Sequence, residues 1–379
     1  MDADYDKTHR LSWTTRIDEK TGAFEKSEIQ LWWDQVEHLM SDRNRDSSLP
    51  SMMVTRDYGM ETDSETSVSG ARANGVVKIG EGELKSGLDF YQRNWDATNT
   101  SAMFMMYTEQ AMIPDVDIDN IGAFADYTWP ADKDWQLTTG IRVDHTTAEA
   151  TALSATRLTT LYQLYHPGST LEDETDFTEA GGNLQLTWKL QDSLEIFTGI
   201  ATATRTPDPQ ELYIGLQRGG MMTSWIGNPD LNAVRNNQVD IGLTMTTEAT
   251  FLATGLFFSE LDNYIYLTDV ADPDGAGPLT RARTYKNIDA EMWGAELNLQ
   301  SALPLNLFLT TTLNYTRGKN KELDEPLAET PPLNGSASLR YDVDSWFVEA
   351  TERFADRQHR VAASLQEQKT AGWNVTDIK

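Results

Sequence analysis

The stretch Thr8-His-Arg-Leu-Ser-Trp-Thr-Thr-Arg-Ile17 shows the pattern that runs through the whole chain. Leu11 and Trp13 fall on one side of an extended backbone, and Ser12 and Arg16 fall on the other. Alternation of this kind predicts a β-strand with one apolar face and one polar face. Because no stretch of useful length shows a helical period, the sequence predicts an all-β protein.

The connections between the predicted strands are alternately short and long. The long joints lie near residues 41–66, 97–117, 150–174, 207–234, 269–284, 319–332 and 357–371. Short turns on one side and long, extracellular loops on the other are typical of a transmembrane antiparallel β-barrel of the outer-membrane type. Trp129, Trp188 and Trp346 lie near strand ends, as the aromatic girdles of such barrels require. We count about 14 strands over residues 1–379.

Composition excludes several classes of protein. The formal net charge of −28 argues against a nucleic-acid partner, since phosphate neutralisation needs clustered Lys and Arg. The absence of cysteine excludes a disulfide scaffold and a thiol nucleophile. No phosphate-binding loop, nucleophile elbow or zinc-protease motif is present, so we expect no enzyme and no prosthetic group. Period two alone leaves a soluble β-sheet binding protein or a surface adhesin as an alternative.

A His-x-Met pair on a strand can be purely structural, but His38 and Met40 are also candidate metal ligands. They are two residues apart on a predicted strand, so they point to the same side, which also carries Asp34 and is expected to face the barrel lumen. Imidazole nitrogen with thioether sulfur is a soft ligand pair that suits Cu(I). Further methionines cluster around the loop near 97–117 and could bind Cu(I) or simply pack: Met103, Met105 and Met112.

Three segments resemble the barrel of TonB-dependent outer-membrane receptors. They are Gly199-Ile-Ala-Thr-Ala-Thr-Arg-Thr-Pro207, Gly227-Asn-Pro-Asp-Leu-Asn232 and Tyr285-Lys-Asn-Ile-Asp-Ala290. Ala233-Val234 stands where the second motif of the family usually has Pro-Glu. Within that family, Met112-Ile-Pro-Asp-Val-Asp-Ile-Asp-Asn120 and Val36-Glu-His-Leu-Met40 are similar to the copper-receptor branch, in which the His-x-Met pair supplies barrel-side ligands.

This resemblance implies a receptor in the outer membrane of a Gram-negative bacterium, in contact with outer-membrane lipid. It implies a transported copper ion, or alternatively a siderophore or another metal chelate, and energy coupling through the TonB–ExbB–ExbD complex. Receptors of this kind also have a plug domain, which in the copper branch supplies a Cys and a Met ligand. Because about 14 strands are fewer than the roughly 22 of family barrels, we expect a partial barrel without a plug that would not close alone.

Overall fold

One antiparallel sheet contains most of the chain in the computed structural model, which describes residues 2–45, 56–103, 106–153, 156–169, 171–218, 223–271 and 281–379. Its strands are β1 (Asp2–Ile17), β2 (Lys26–Ser41), β3 (Met60–Ile79), β4 (Gly82–Met103), β5 (Met106–Asp132), β6 (Trp135–Ala150), β7 (Glu174–Gln191), β8 (Leu194–Arg205), β9 (Gly215–Leu216), β10 (Ser224–Ile226), β11 (Val234–Thr246), β12 (Thr250–Ala271), β13 (Arg281–Leu303), β14 (Leu307–Asn320), β15 (Glu325–Pro326), β16 (Asn334–Val343), β17 (Trp346–Ala355) and β18 (Trp373–Ile378). Two α-helices, α1 (Thr156–Tyr165) and α2 (Pro209–Tyr213), and a 3-10 turn (Ala363–Leu365) lie between strands.

Strand pairing follows chain order. Each long strand pairs antiparallel with the next one, and β8 and β14 pair with β11 and β16 across the intervening short strands. This confirms the all-β, antiparallel prediction. Fifteen of the 18 strands have six or more residues, close to the expected number of about 14. The other three, β9, β10 and β15, have two or three residues each and lie inside predicted loops, where the alternation is too short to be recognised.

Long strands also extend into several of the expected loops. The segment near 97–117 is an extension of β4 and β5, since β4 runs to Met103 and β5 begins at Met106. The segment near 269–284 likewise includes the end of β12 and the start of β13. Hydrogen bonds between paired strands satisfy the backbone N–H and C=O groups outside the membrane as well as inside it. A hairpin can therefore continue into water without an apolar face.

The wall has two chemically distinct sides. We call the side that carries exposed apolar residues the outer side and the opposite side the inner side. Leu11, Ile141 and Leu88 are 69%, 66% and 62% exposed on the outer side, and Trp135 stacks on Trp188 near the short turns with ring centroids 5.1 Å apart. An apolar belt with aromatic residues at its rim is the lipid-facing surface of an outer-membrane barrel. No helix in the described ranges is long and apolar enough to cross a membrane.

At the long-loop end, loop elements fold against the inner side. We call α1, α2, β9 and β10 the loop cap. Its buried side chains pack on Val116 and Ile118 of β5, and Ile121, on the opposite side of that strand, is 57% exposed. The buried residues of the cap are Leu158, Leu161, Tyr162, Leu212, Tyr213, Leu216 and Ile226. The apolar core of this chain therefore lies at one end, under loops, and not between two layers of sheet.

Two glycines allow the close packing of the loop cap. A Cβ at Gly215 would lie 2.3 Å from Cδ2 of Leu158, so a side chain there would displace α1. A Cβ at Gly227 would lie 2.4 Å from the carbonyl oxygen of Leu212 at the end of α2. Glycine is required where backbone approaches this closely. The Tyr162 hydroxyl also donates to the Tyr213 carbonyl oxygen, which joins the two helices.

Candidate functional site

The predicted ligand pair lies at the long-loop end of β2. Leu31 and Trp33, on the outer side of this strand, are 46% and 41% exposed. His38 and Met40 have the opposite parity and therefore lie on the inner side, half-buried, as the sequence predicted. Pairing with β1 and β3 places His38 opposite Asp6 and Ser64, and Met40 opposite Ala3 and Thr62.

A carboxylate lies beside the imidazole of His38. Nδ1 of His38 lies 3.5 Å from Oδ2 of Asp6, and the histidine side chain is 31% exposed. A carboxylate beside one ring nitrogen fixes the tautomer and ring direction of a metal-binding histidine. The other nitrogen, Nε2, is then the atom that a metal ion would meet. No local sequence pattern indicated Asp6, because strand register alone brings it across from His38.

A second thioether joins this side of the sheet. Met60 begins β3 two residues before Thr62, so it shares the inner side with Thr62 and lies diagonally next to Met40. From the sequence, Met60 belongs to the loop near 41–66, and only the register of β2 with β3 brings it beside the pair. One imidazole and two thioethers are a donor set that suits a soft monovalent cation.

The remaining candidate methionines have different positions. Met112 lies in β5, three strands from β2, and packs against the hydrophobic cluster of the loop cap. Met103 is the last residue of β4, and Met105 lies outside the described residues. Within the described ranges, no three His, Asp or Glu side chains are grouped closely enough to hold a metal ion. Any metal site built on His38 and Met40 would therefore depend on sulfur ligands rather than on a carboxylate cage.

Acidic side chains surround the long-loop end of β2. Arg43 lies between three carboxylates, with its nitrogens 2.7 Å from Asp57 Oδ2, 3.2 Å from Glu61 Oε2 and 3.6 Å from Asp4 Oδ2. Three anions around one cation leave a negative balance at the approach to His38. A negative field of this kind raises the local concentration of cations and steers them toward the site.

Ion pairs line the inner side farther from the loops. Asp89 of β4 is 8% exposed and accepts two hydrogen bonds from Arg142 of β6, at 2.8 Å each. Arg142 also donates to Asp144, and Arg72 of β3 lies 3.5 Å from Asp89. A bidentate Arg–carboxylate pair is a strong and directional contact. The polar side predicted from alternation is thus a connected network across β3 to β6.

A half-buried arginine, Arg157, helps to hold the loop cap to the wall. Arg157 of α1 donates to Gln110 Oε1 at 3.3 Å, to the Ala111 carbonyl at 2.8 Å and to the Gly215 carbonyl at 3.1 Å. The Gln110 amide in turn donates to the Gln217 carbonyl at 3.0 Å. Burial lowers the pKa of Arg157, since the charged guanidinium loses water and has only neutral acceptors.

A histidine fastens the other end of α1. Nε2 of His166 lies 3.0 Å from the Gly227 carbonyl oxygen and 3.0 Å from the Thr284 hydroxyl of β13. Burial lowers the pKa of His166, and the hydrogen bond to Gly227 and the charge of Asp230 oppose this effect. The neutral imidazole is therefore the form that the closed cap favours.

A cavity of about 380 Å³ lies beside the loop cap, and we call it the tyrosine cavity. Its walls include Tyr264, Tyr266 and Tyr285, together with Arg283 and Glu329. Its volume lies within the range of about 300–1,000 Å³ that small-molecule sites occupy. Sequence patterning did not indicate this cavity, because its walls come from β12, β13 and the loops that follow β14 and β17.

Comparison with known proteins places this architecture in a family. The family described as "TonB dependent receptor-like, beta-barrel" matches residues 1–379. The solved copper transporter OprC is similar with a TM-score of 0.82 at 21% identity, over 99% of this chain and 57% of OprC. The ferric yersiniabactin uptake receptor FyuA of Yersinia pestis gives a TM-score of 0.66 at 11% identity, over 98% and 53%. The ferric-catecholate import receptor Fiu of E. coli K12 gives 0.65 at 13% identity, over 98% and 57%. No curated protein sequence matches the chain.

These likenesses fix the fold and the extent of the match. The chain spans a little over half the length of the solved structures that it matches. The described residues form the barrel part and contain no plug domain. The family consists of transporters of the Gram-negative outer membrane without enzymatic activity, which confirms the expected localisation and the expectation of no enzyme. The chain belongs to the family of TonB-dependent receptor-like β-barrels.

Proposed function

We propose that this protein transports copper ions across the outer membrane, with energy supplied through the TonB–ExbB–ExbD complex. Its barrel contributes His38 and Met40 as copper ligands, and Asp6 orients the imidazole. Met103, Met105 and Met112 remain candidate sites for relaying Cu(I) before it reaches the ligand pair. No covalent chemistry is part of the proposal.

The observation that carries this proposal is the geometry of β2. His38 and Met40 share the inner side of one strand, and the carboxylate of Asp6 faces Nδ1 of the imidazole and leaves Nε2 for a ligand. Supporting it, the structure named as a copper transporter gives a TM-score of 0.82, against 0.66 and 0.65 for the two ferric-chelate receptors. The acidic surroundings of Arg43 favour a free cation over an anionic chelate.

Copper binding by single variants tests the ligand assignment. In the complete receptor purified in detergent, we expect His38→Ala and Met40→Ala each to weaken Cu(I) binding by at least about tenfold, as loss of a ligand removes a direct metal bond. Asp6→Asn should weaken it by about tenfold or more, because the orienting carboxylate is lost. Titration of Cu(I) against a competing chelator measures each change.

Matched controls lie on the same sheet. His9→Ala removes an exposed histidine from the adjacent strand β1, and Met245→Ala removes a methionine from β11. Both should bind Cu(I) as the unaltered protein does. Unchanged binding in both His38→Ala and Met40→Ala would overturn the assignment of these ligands.

Uptake of a metal chelate such as a siderophore is the second candidate function. The tyrosine cavity favours it, because aromatic walls suit a ring-bearing chelate. Copper accumulation by cells that carry the receptor, compared with accumulation of ferric chelates, separates the two. If copper accumulation is lost in His38→Ala but kept in Tyr285→Phe, the result supports copper transport. If accumulation of a ferric chelate is lost in Tyr285→Phe but kept in His38→Ala, the result supports the alternative.

A further inference from the structure

An arginine-rich pocket lies apart from the candidate copper site and from the loop cap. It is formed by the long-loop end of β14, the segment 326–333 and the segment 356–360, and its volume is about 170 Å³. We call it the arginine pocket. Its lining includes Arg317, Arg357, Arg360, His359, Asp356 and Tyr315.

Charge makes this pocket unusual in an acidic chain. The protein carries 59 Asp and Glu against 31 Lys and Arg, so most arginines can find a carboxylate. Three arginines of this pocket form no ion pair with a carboxylate in the part of the chain that the structure describes. They are Arg317, Arg357 and Arg360. Asp356, the carboxylate in the lining, accepts a hydrogen bond from the backbone N–H of Arg357 at 2.7 Å. Three arginines without a carboxylate partner line this pocket, and such a lining favours an anion.

Arg317 has a buried nitrogen without a partner. Its Nε is inaccessible to water and makes no hydrogen bond in the structure. A buried donor that is left unpaired costs free energy, because the donor has lost its water and gained nothing in exchange. An anionic oxygen in the pocket would supply the missing acceptor. Guanidinium geometry matches a phosphate group in particular, since two parallel N–H donors can bind two of its oxygens.

Arg317 of the arginine pocket lies on the outer, lipid-facing side of the wall. Arg317 pairs with Trp293 of β13 and has the same parity as Tyr315, and its guanidinium lies 5.3 Å from each of their ring centroids. Trp293 is 40% exposed on the outer side, within the aromatic rim at the long-loop end. Long loops mark the extracellular face of such barrels. The pocket is therefore at the depth where headgroups of the outer leaflet lie.

Size and rigidity restrict the occupant. A volume of about 170 Å³ is below the range of about 300–1,000 Å³ that whole small molecules occupy. Three prolines with restricted backbone torsions line the pocket: Pro326, Pro331 and Pro332. The Gln358 side chain also donates to the Thr330 carbonyl oxygen and so joins the two segments. A preformed pocket of this size suits one small anionic group at the end of a larger molecule.

We propose that the arginine pocket binds the phosphate monoester headgroup of an outer-leaflet lipid. The lipid tails would lie along the apolar belt below Trp293, and the phosphate would contact Arg317, Arg357 and Arg360. This site is independent of the proposed copper transport, so failure of either proposal leaves the other standing.

Lipid binding by the complete receptor, kept soluble in an amphipathic polymer without free detergent, tests the proposal. The probes are phosphatidylcholine vesicles with and without phosphatidic acid, which carries a phosphate monoester, and inorganic phosphate alone. We expect preferential binding of the vesicles with phosphatidic acid. The triple variant Arg317→Gln, Arg357→Gln, Arg360→Gln should weaken this binding by roughly tenfold or more, the effect of losing a charged hydrogen bond.

Two further variants separate binding from folding. Arg317→Lys keeps the charge and should retain part of the affinity, and Arg340→Gln removes an arginine that is already paired with Asp342 and should change nothing. Equal binding by the triple variant and the unaltered chain would overturn the proposal. So would equal binding of vesicles with and without phosphatidic acid, or binding of inorganic phosphate with no preference for the lipid, since the site would then serve a free anion.

Discussion

The apolar belt and the loop cap contain the same kinds of side chain in opposite settings. Leu11 in the belt is 69% exposed, whereas Leu158 and Leu212 in the cap are fully buried. The belt needs no partner inside the protein, because lipid is its solvent. The cap faces water and must bury its leucines against the inner wall. Apolar residues therefore stabilise this chain in two separate ways, and only the second depends on packing within the protein.

Removing a cap leucine should give the largest effect of the substitutions that probe this comparison. Leu158→Ala leaves a cavity between α1 and Gly215, and such changes cost about 2–5 kcal/mol. We expect the amides of α1 and α2 to exchange faster with deuterium, by the factor to which this loss of free energy corresponds. The amides of the barrel strands should stay protected. Hydrogen exchange followed by mass spectrometry measures both regions.

The matched control is a leucine of the belt. Leu11→Ala in detergent should change the free energy of opening of the cap by no more than about 0.5 kcal/mol, as exposed substitutions do. Similar exchange in the two variants would show that the cap is not an independently packed unit.

A charge in the belt should have the next largest effect. Ile141→Arg places a guanidinium on the lipid side of β6, where an arginine costs about 2–4 kcal/mol at mid-membrane depth. Thr138→Arg places the same side chain on the inner side of the same strand, where water and carboxylates are available. Denaturant titration of the protein folded in lipid vesicles compares the two. If both variants lose equal stability, the assignment of outer and inner sides fails.

A change in pH should give the smallest effect, confined to the cap. Because burial lowers the pKa of His166, the folded cap binds fewer protons at this site than the open form does. The contribution of neutral His166 to the stability of the closed cap is complete above the ordinary histidine pKa of about 6.5. This contribution declines as the pH falls below that value. The free energy of opening of α1, obtained from exchange rates after correction for the base-catalysed intrinsic rate at each pH, should show this slope between pH 5 and pH 8.

His166→Gln serves as the comparison for the pH series. Glutamine can keep a hydrogen bond to the Gly227 carbonyl but does not titrate, so the slope should disappear while belt residues remain unaffected. An unchanged slope in His166→Gln would assign the pH dependence to another group.

Local alternation predicted the wall of the barrel well. In segments such as 8–17 and 137–143, the side chain period of two is a direct consequence of extended backbone, so the side of each residue follows from its parity. The number of long strands and the alternation of short and long joints followed from the same pattern. The extent of β4 and β5 did not, because paired strand outside the membrane has no apolar face to reveal it.

The candidate site was predictable only in part. His38 and Met40 share a side because they are two residues apart on one strand. Asp6 and Met60 come to the same place through strand register, which depends on pairing across β1, β2 and β3. Met112 illustrates the limit, since its spacing from other methionines says nothing about its packing against the loop cap.

By itself, the sequence determined the fold class, the two sides of each strand and the positions of the turns, because these depend on residues close together along the chain. The tertiary structure decided what those sides contact. The burial of α1 and α2 against β5, the carboxylate beside His38 and the arginines gathered around one pocket all join residues far apart in sequence. Such contacts depend on strand register and loop packing, and a local pattern has no means of encoding either.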